Sequence, residues 1–155
     1  MRKLLLIASH TAAVVAGFAL GVYALPILIA PDAPSAEQIS ALAGTASFTG
    51  QFRRDLKDSD ALHWGEGTLA VSAHSISLAG ELAPGPDYKL YLSAEFVETE
   101  ADFKRLKAGM VRVGDIKTFK NFLLQVPAGI DLKRYTTAIV WCESFGQFIS
   151  AAKYR

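Results

Sequence analysis

Hydrophobic and polar residues follow two rhythms along this chain of 155 residues. From Leu4 to Ala30 no charge interrupts an apolar run, which at the helical rise is long enough to cross about 30 Å of hydrocarbon. Past Thr45 the pattern becomes one of period two. It predicts a strand over Ser47–Arg53, opening with Phe48 and Phe52, then strands over Thr68–Ser72 and Ser75–Ala79 around a turn at Ala73-His74. Further strands are expected over Tyr88–Ser93 after Pro84-Gly85-Pro86-Asp87, and over Phe122–Val126, stopped by Pro127-Ala128-Gly129. The last two are Thr137–Cys142 and Gln147–Tyr154. Glu98–Lys107, with Thr99 as a cap and Phe103 and Leu106 three apart, reads as a short helix or a charged loop.

Seven to nine short strands with turn signals between them and little helix argue a mainly β fold. The expected architecture is an antiparallel β-sandwich or flattened barrel behind one N-terminal transmembrane helix. The corresponding division is a membrane anchor at 1–30, a linker at 31–44 and one domain at 45–155. The Pro-rich exit Pro31–Ser35 and a helical turn or two from Ser35 to Leu42 read as a spacer.

A cleaved signal peptide would have a shorter apolar region and a small-x-small site, whereas Val22-Tyr23-Ala24 runs on into Leu25-Pro26-Ile27-Leu28-Ile29. An uncleaved anchor in membrane lipid is therefore expected. Arg2 and Lys3 place the N-terminus in the cytoplasm and the domain outside it, in the periplasm of a Gram-negative cell. His10 reads as a polar residue near the cytoplasmic end. Ala13, Gly17 and Gly21 recur every four residues on one helix face, a small-residue pattern that suits a homodimer and is also common in membrane helices.

Past Asp32 the chain carries 14 basic and 14 acidic residues, so no net field draws it to nucleic acid. Hydrolase and nucleotide-enzyme motifs are missing. Asp55-x-x-Asp58-x-Asp60 lacks a calcium loop's distal glutamate, and Gly65-Glu66-Gly67 leads into a strand where a dinucleotide site needs a helix. Neither is a site.

The single cysteine, Cys142, has no internal disulfide partner in an exported protein. It is inert in the core, paired with another molecule, bound to a metal or cofactor, or kept for redox chemistry. Alternation puts Val140 and Cys142 on one strand face and Ile139 and Trp141 on the other, with either face free to be the buried one. Trp141, Phe145 and Phe148 would desolvate the thiol and raise its pKa.

Gly85–Ser93, Gly114-Asp115-Ile116-Lys117, Phe122–Pro127, Asp131–Tyr135, Val140-Trp141-Cys142 and Phe148–Ala152 occur in an order that resembles the DM13 domain family. The resemblance covers about Phe48 to Tyr154. It implies a small extracytoplasmic β domain built around Cys142, with a redox or electron-transfer role. Under that reading Cys142 is the redox residue, Trp141, Tyr135, Pro127 and Asp131 support it, and a redox partner protein is expected. A noncovalent haem would use Cys142 as axial thiolate with His63 or His74 opposite, since the chain has no C-x-x-C-H motif; both histidines also suit solvated loops. No metal cluster is expected.

Two functions stay open. One is an anchored redox module, accessory to other proteins more than a stand-alone enzyme. The other is an envelope binding or scaffold domain with Cys142 in the core, Trp64 offering an exposed contact and Tyr135 tying a strand corner.

Overall fold

The computed structural model describes all residues, Met1–Arg155. Its first element, α1 (Arg2–Leu28), is the only helix long and apolar enough to cross a membrane. A second helix, α2 (Ala36–Ala43), starts at a capping box. The Ser35 hydroxyl accepts from the Gln38 amide at 3.3 Å, and the Gln38 side chain accepts from the Ser35 amide at 2.9 Å.

Eight strands follow: β1 (Phe48–Phe52), β2 (Gly65–Val71), β3 (Ser75–Leu82), β4 (Tyr88–Ser93), β5 (Val111–Ile116), β6 (Lys120–Gln125), β7 (Thr137–Cys142) and β8 (Gln147–Lys153). The short helix α3 (Glu100–Leu106) lies between β4 and β5, capped by the Thr99 hydroxyl. The strands form two antiparallel sheets, ordered β1-β2-β3-β6 and β5-β4-β7-β8. β1 approaches β8 and β5 approaches β6, but no ladder joins the sheets, so the sandwich is not a closed barrel.

Two cores result. Between the sheets lie Leu69, Val71, Ile76 and Leu78 from one side and Tyr88, Leu90, Leu92, Ala138, Val140 and Cys142 from the other. The second core covers the outer face of β4, β7 and β8, where Tyr91, Ile139, Trp141, Phe148 and Ala151 pack under Leu56, Val97 and Phe103 of α3. β7 is therefore buried on both faces at every position, which explains its continuous apolar run in an antiparallel sheet.

The stretch expected to be a spacer is packed. α2 lies on β2, β3 and β6, its Ile39 is 2% exposed, and Asn121 Nδ2 donates to the Pro34 carbonyl at 3.1 Å. Only Ile29–Ala33 separate α1 from this attachment.

Candidate functional site

β7 delivers Cys142 to one end of the sandwich. Its neighbour across β4 is Tyr88, whose buried hydroxyl donates to the Ala83 carbonyl at 3.0 Å and pins the Pro84–Asp87 crossing. Asp87 closes that crossing with a left-handed backbone (φ 57°), which aspartate tolerates. Its carboxylate meets Lys89 at 2.7 Å and accepts from Ser144 at 2.8 Å. Those bonds, Lys89 first, hold Asp87 below the usual carboxylate range. The crossing presents the Pro86 carbonyl to Cys142, whose thiol donates to it at 3.0 Å.

Cys142 is 3% exposed. Burial pushes its thiol pKa up, the Phe145 and Ser144 amides of the β7–β8 turn pull weakly the other way, and the net shift is upward. A buried neutral thiol is a poor nucleophile at neutral pH. Pairing with another molecule, one of the fates open to a lone cysteine, would require this end to open, since the sulfur is buried.

In front of Cys142 is an apolar cavity of about 300 Å³, walled by Phe18, Ala19, Val22 and Tyr23 of α1 and by Leu62, Pro84, Pro86, Phe145 and Ile149 of the domain. His63 and Gln147 are its polar side chains besides the thiol and the Tyr23 and Tyr88 hydroxyls. His63 is held by Asp60: the Nδ1–H donates to the carboxylate at 2.9 Å, and the backbone amides of Leu62 and His63 donate to it at 2.7 and 2.8 Å. These bonds, that of the His63 ring first, lower the Asp60 pKa. They leave Nε2 without a hydrogen bond, as a carboxylate does when it orients a functional imidazole. On its other side His63, again with Gln147, borders a polar hollow that contains Lys57, Asp58, Asp60 and Glu100.

Of the two histidines expected near Cys142, only His63 is brought there. His74 sits in the β2–β3 turn at the opposite end, because β2 and β3 run the length of the sandwich from Gly65 and Leu82 to that turn. A haem does not fit this end. The cavity lies at the small limit of ligand sites, and no lysine or arginine lines it to meet the propionates.

Trp141 points away from Cys142 into the outer core, where its ring stacks on Phe103 at 3.8 Å and 10°. Beside it Tyr91 donates to Glu143, and Lys107 Nζ reaches both Glu143 oxygens at 2.9 Å while capping the Tyr91 and Phe103 rings at 5.6 Å. Burial pushes Glu143 up, but the Tyr91 and Lys107 bonds outweigh it and its pKa is lowered.

The remaining expected residues support the fold. Asp131 accepts from the Lys133 amide at 3.0 Å and starts a 3-10 turn, and the Pro127 carbonyl accepts from the Ile130 amide. Tyr135 makes no hydroxyl bond; the tyrosine that ties this corner is Tyr154, donating to the Leu132 carbonyl at 3.2 Å. Trp64 is half-buried under the Arg54 guanidinium at 3.3 Å and is no free contact patch. Gly17 and Gly21 face open space on α1.

Asp60, the partner of His63, is a site residue that the hydrophobic pattern does not reveal. The signal was present in the Asp-x-x-His spacing, but only the loop geometry turns the two side chains together.

Two antiparallel four-stranded sheets, preceded by an apolar helix, define a small β-sandwich domain. The family model described as Electron transfer DM13 matches residues 51–154, and the chain belongs to the DM13 family. Its general role is accordingly electron transfer. No curated protein and no solved structure matches the chain.

Proposed function

We propose that this chain is a membrane-anchored extracytoplasmic electron-transfer domain in which Cys142 is the redox-linked residue, exchanging electrons or thiol oxidation state with a partner protein. Residues 1–30 are the anchor, held with the N-terminus in the cytoplasm, 31–44 connect it, and 45–155 form the domain. The observation that carries this reading is the shared cavity: a neutral thiol and an imidazole with a free Nε2 line one apolar space.

Oxidising a neutral thiol requires a place for its proton. In exchange with a partner's disulfide, the Cys142 S–H bond breaks and the sulfur bonds to one partner sulfur. The other partner sulfur leaves as thiolate, and His63 Nε2 takes the proton. From there the polar hollow leads to water. The partner must open the cavity to reach the sulfur.

A second reading, a binding or scaffold domain with Cys142 as core, is favoured by the thiol's burial and raised pKa. One experiment separates them. Full-length protein purified from membranes is incubated with a small aromatic disulfide able to enter the cavity, and then denatured and labelled with maleimide. A Cys142 that the disulfide blocks in the folded protein, more slowly in His63→Ala, supports the redox reading. A Cys142 that stays fully reactive toward maleimide after every disulfide treatment of the folded protein supports the scaffold reading.

A further inference from the structure

Beyond the N-terminal stretch Met1–Ile29, three large hydrophobic residues are exposed: Leu62 (59%), Phe96 (41%) and Phe145 (52%). Two of the three, Leu62 and Phe145, border the cavity in front of Cys142, next to the helix long enough to cross a membrane. We propose that this end of the sandwich rests on the bilayer, with Leu62 and Phe145 seated in the lipid interface beside Tyr23, so that the Cys142 cavity opens toward lipid. This rests on the anchored reading of α1.

Depth is set by α1 itself. Leu4 to Tyr23 is a stretch of 20 residues, which at 1.5 Å each matches about 30 Å of hydrocarbon. Arg2 and Lys3 then sit at the inner boundary and Tyr23 at the outer one, where amphipathic aromatic rings collect. Of the α1 wall of the cavity, Val22 and Tyr23 lie at that boundary and Phe18 and Ala19 about 6–8 Å below it, so the domain residues facing this wall reach from the interface into the outer hydrocarbon.

The leash is short as well. Ile29–Ala33 span at most about 17 Å when extended, and Asn121 holds Pro34 to the sandwich. The Cys142 end therefore stays near the membrane whatever the tilt of α1. No lysine, arginine, aspartate or glutamate lines the cavity, and the balanced charge of the domain supplies no pull toward anionic lipid. Contact is hydrophobic, and zwitterionic lipid suffices for it.

The test uses full-length protein in phosphatidylcholine nanodiscs. In a Cys142→Ser background, nitroxide labels are placed through Leu62→Cys, Phe145→Cys and, as a control at the far end, Ala73→Cys. Collision with oxygen should exceed collision with a water-soluble nickel chelate at 62 and 145, and the order should reverse at 73. The same water-like profile at all three positions overturns the proposal. In wild-type protein, which keeps Cys142, brominated phosphatidylcholine should quench Trp64, two residues from Leu62; no quenching overturns the proposal too. Alkaline carbonate extraction separates the two ideas: release from the membrane removes the anchor and the proposal together, whereas retention with water-exposed labels removes the proposal alone.

Discussion

Cys142 and Trp141 are adjacent in sequence, yet their side chains lie in different hydrophobic cores, one on each face of β7. The thiol faces the space between the sheets and ends at the cavity. The indole faces α3. Perturbations of the two residues should therefore separate.

The alkaline limb of stability reports Cys142. Its folded pKa is raised, so its contribution is fully present while the unfolded thiol is still protonated and is lost as pH rises through the folded value. Stability should fall with pH from about 8.5, and Cys142→Ser should flatten that slope up to about pH 10, where the tyrosines join. Tyr91 and Tyr154 are pushed up to about 12 by burial, so they act in the same direction at higher pH. Urea midpoints for both proteins across this range are the check, and equal slopes would contradict the assignment.

Phe103→Ala should cost about 3–5 kcal/mol, because Phe103 is fully buried against Trp141 and Tyr91. Maleimide reactivity of native Cys142 should not change, since β7 lies between. Denaturant unfolding and thiol labelling on the same variant measure both halves.

Glu143 carries part of the acid limb. Its folded pKa is lowered, so its contribution is present above the unfolded value of about 4.3 and is lost as pH falls through the folded one. Glu143→Gln should flatten the fall in stability below about pH 4.3, as followed by thermal midpoints in a pH series. Lys107→Ala should do the same, because Lys107 is one of the two groups that hold the carboxylate.

Ile39→Ala should destabilise the domain by about 2–5 kcal/mol, the range for a buried aliphatic side chain. A loss under 0.5 kcal/mol by chemical denaturation would mean that α2 is the spacer its composition suggests.

Gly50→Ala should loosen the β1–β8 corner. A Cβ there would lie 2.7 Å from the Lys153 carbonyl oxygen, backbone that cannot turn aside. A cost of about 1–3 kcal/mol, read from the thermal midpoint, is expected for such overpacking.

Tyr88–Ser93 was legible from its alternation, and Thr137–Cys142 from the unbroken apolar run that a strand buried on both faces requires. β5 was not, since Gly114 and Asp115 are poor strand formers and its pairing with β4 comes from a distant partner. β2 and β3 extend past their predicted ends for a similar reason. They meet at Gly67 and Gly80, where a Cβ on Gly67 would lie 2.3 Å from the Ala79 oxygen, so the missing side chains that hide the pattern also permit the pairing.

At the candidate site, the single thiol, its apolar strand and the spanning length of α1 follow from composition and local order alone, because they need no partner. Which face of β7 holds Cys142, which histidine shares its cavity and which end lies toward α1 are long-range facts. Asp60 holds the His63 ring beside the cavity, the strand directions send His74 to the far end, and α1 walls the cavity in front of the thiol. Local sequence sets each residue's chemistry, but only sheet pairing and chain closure bring residues so far apart in sequence to one cavity.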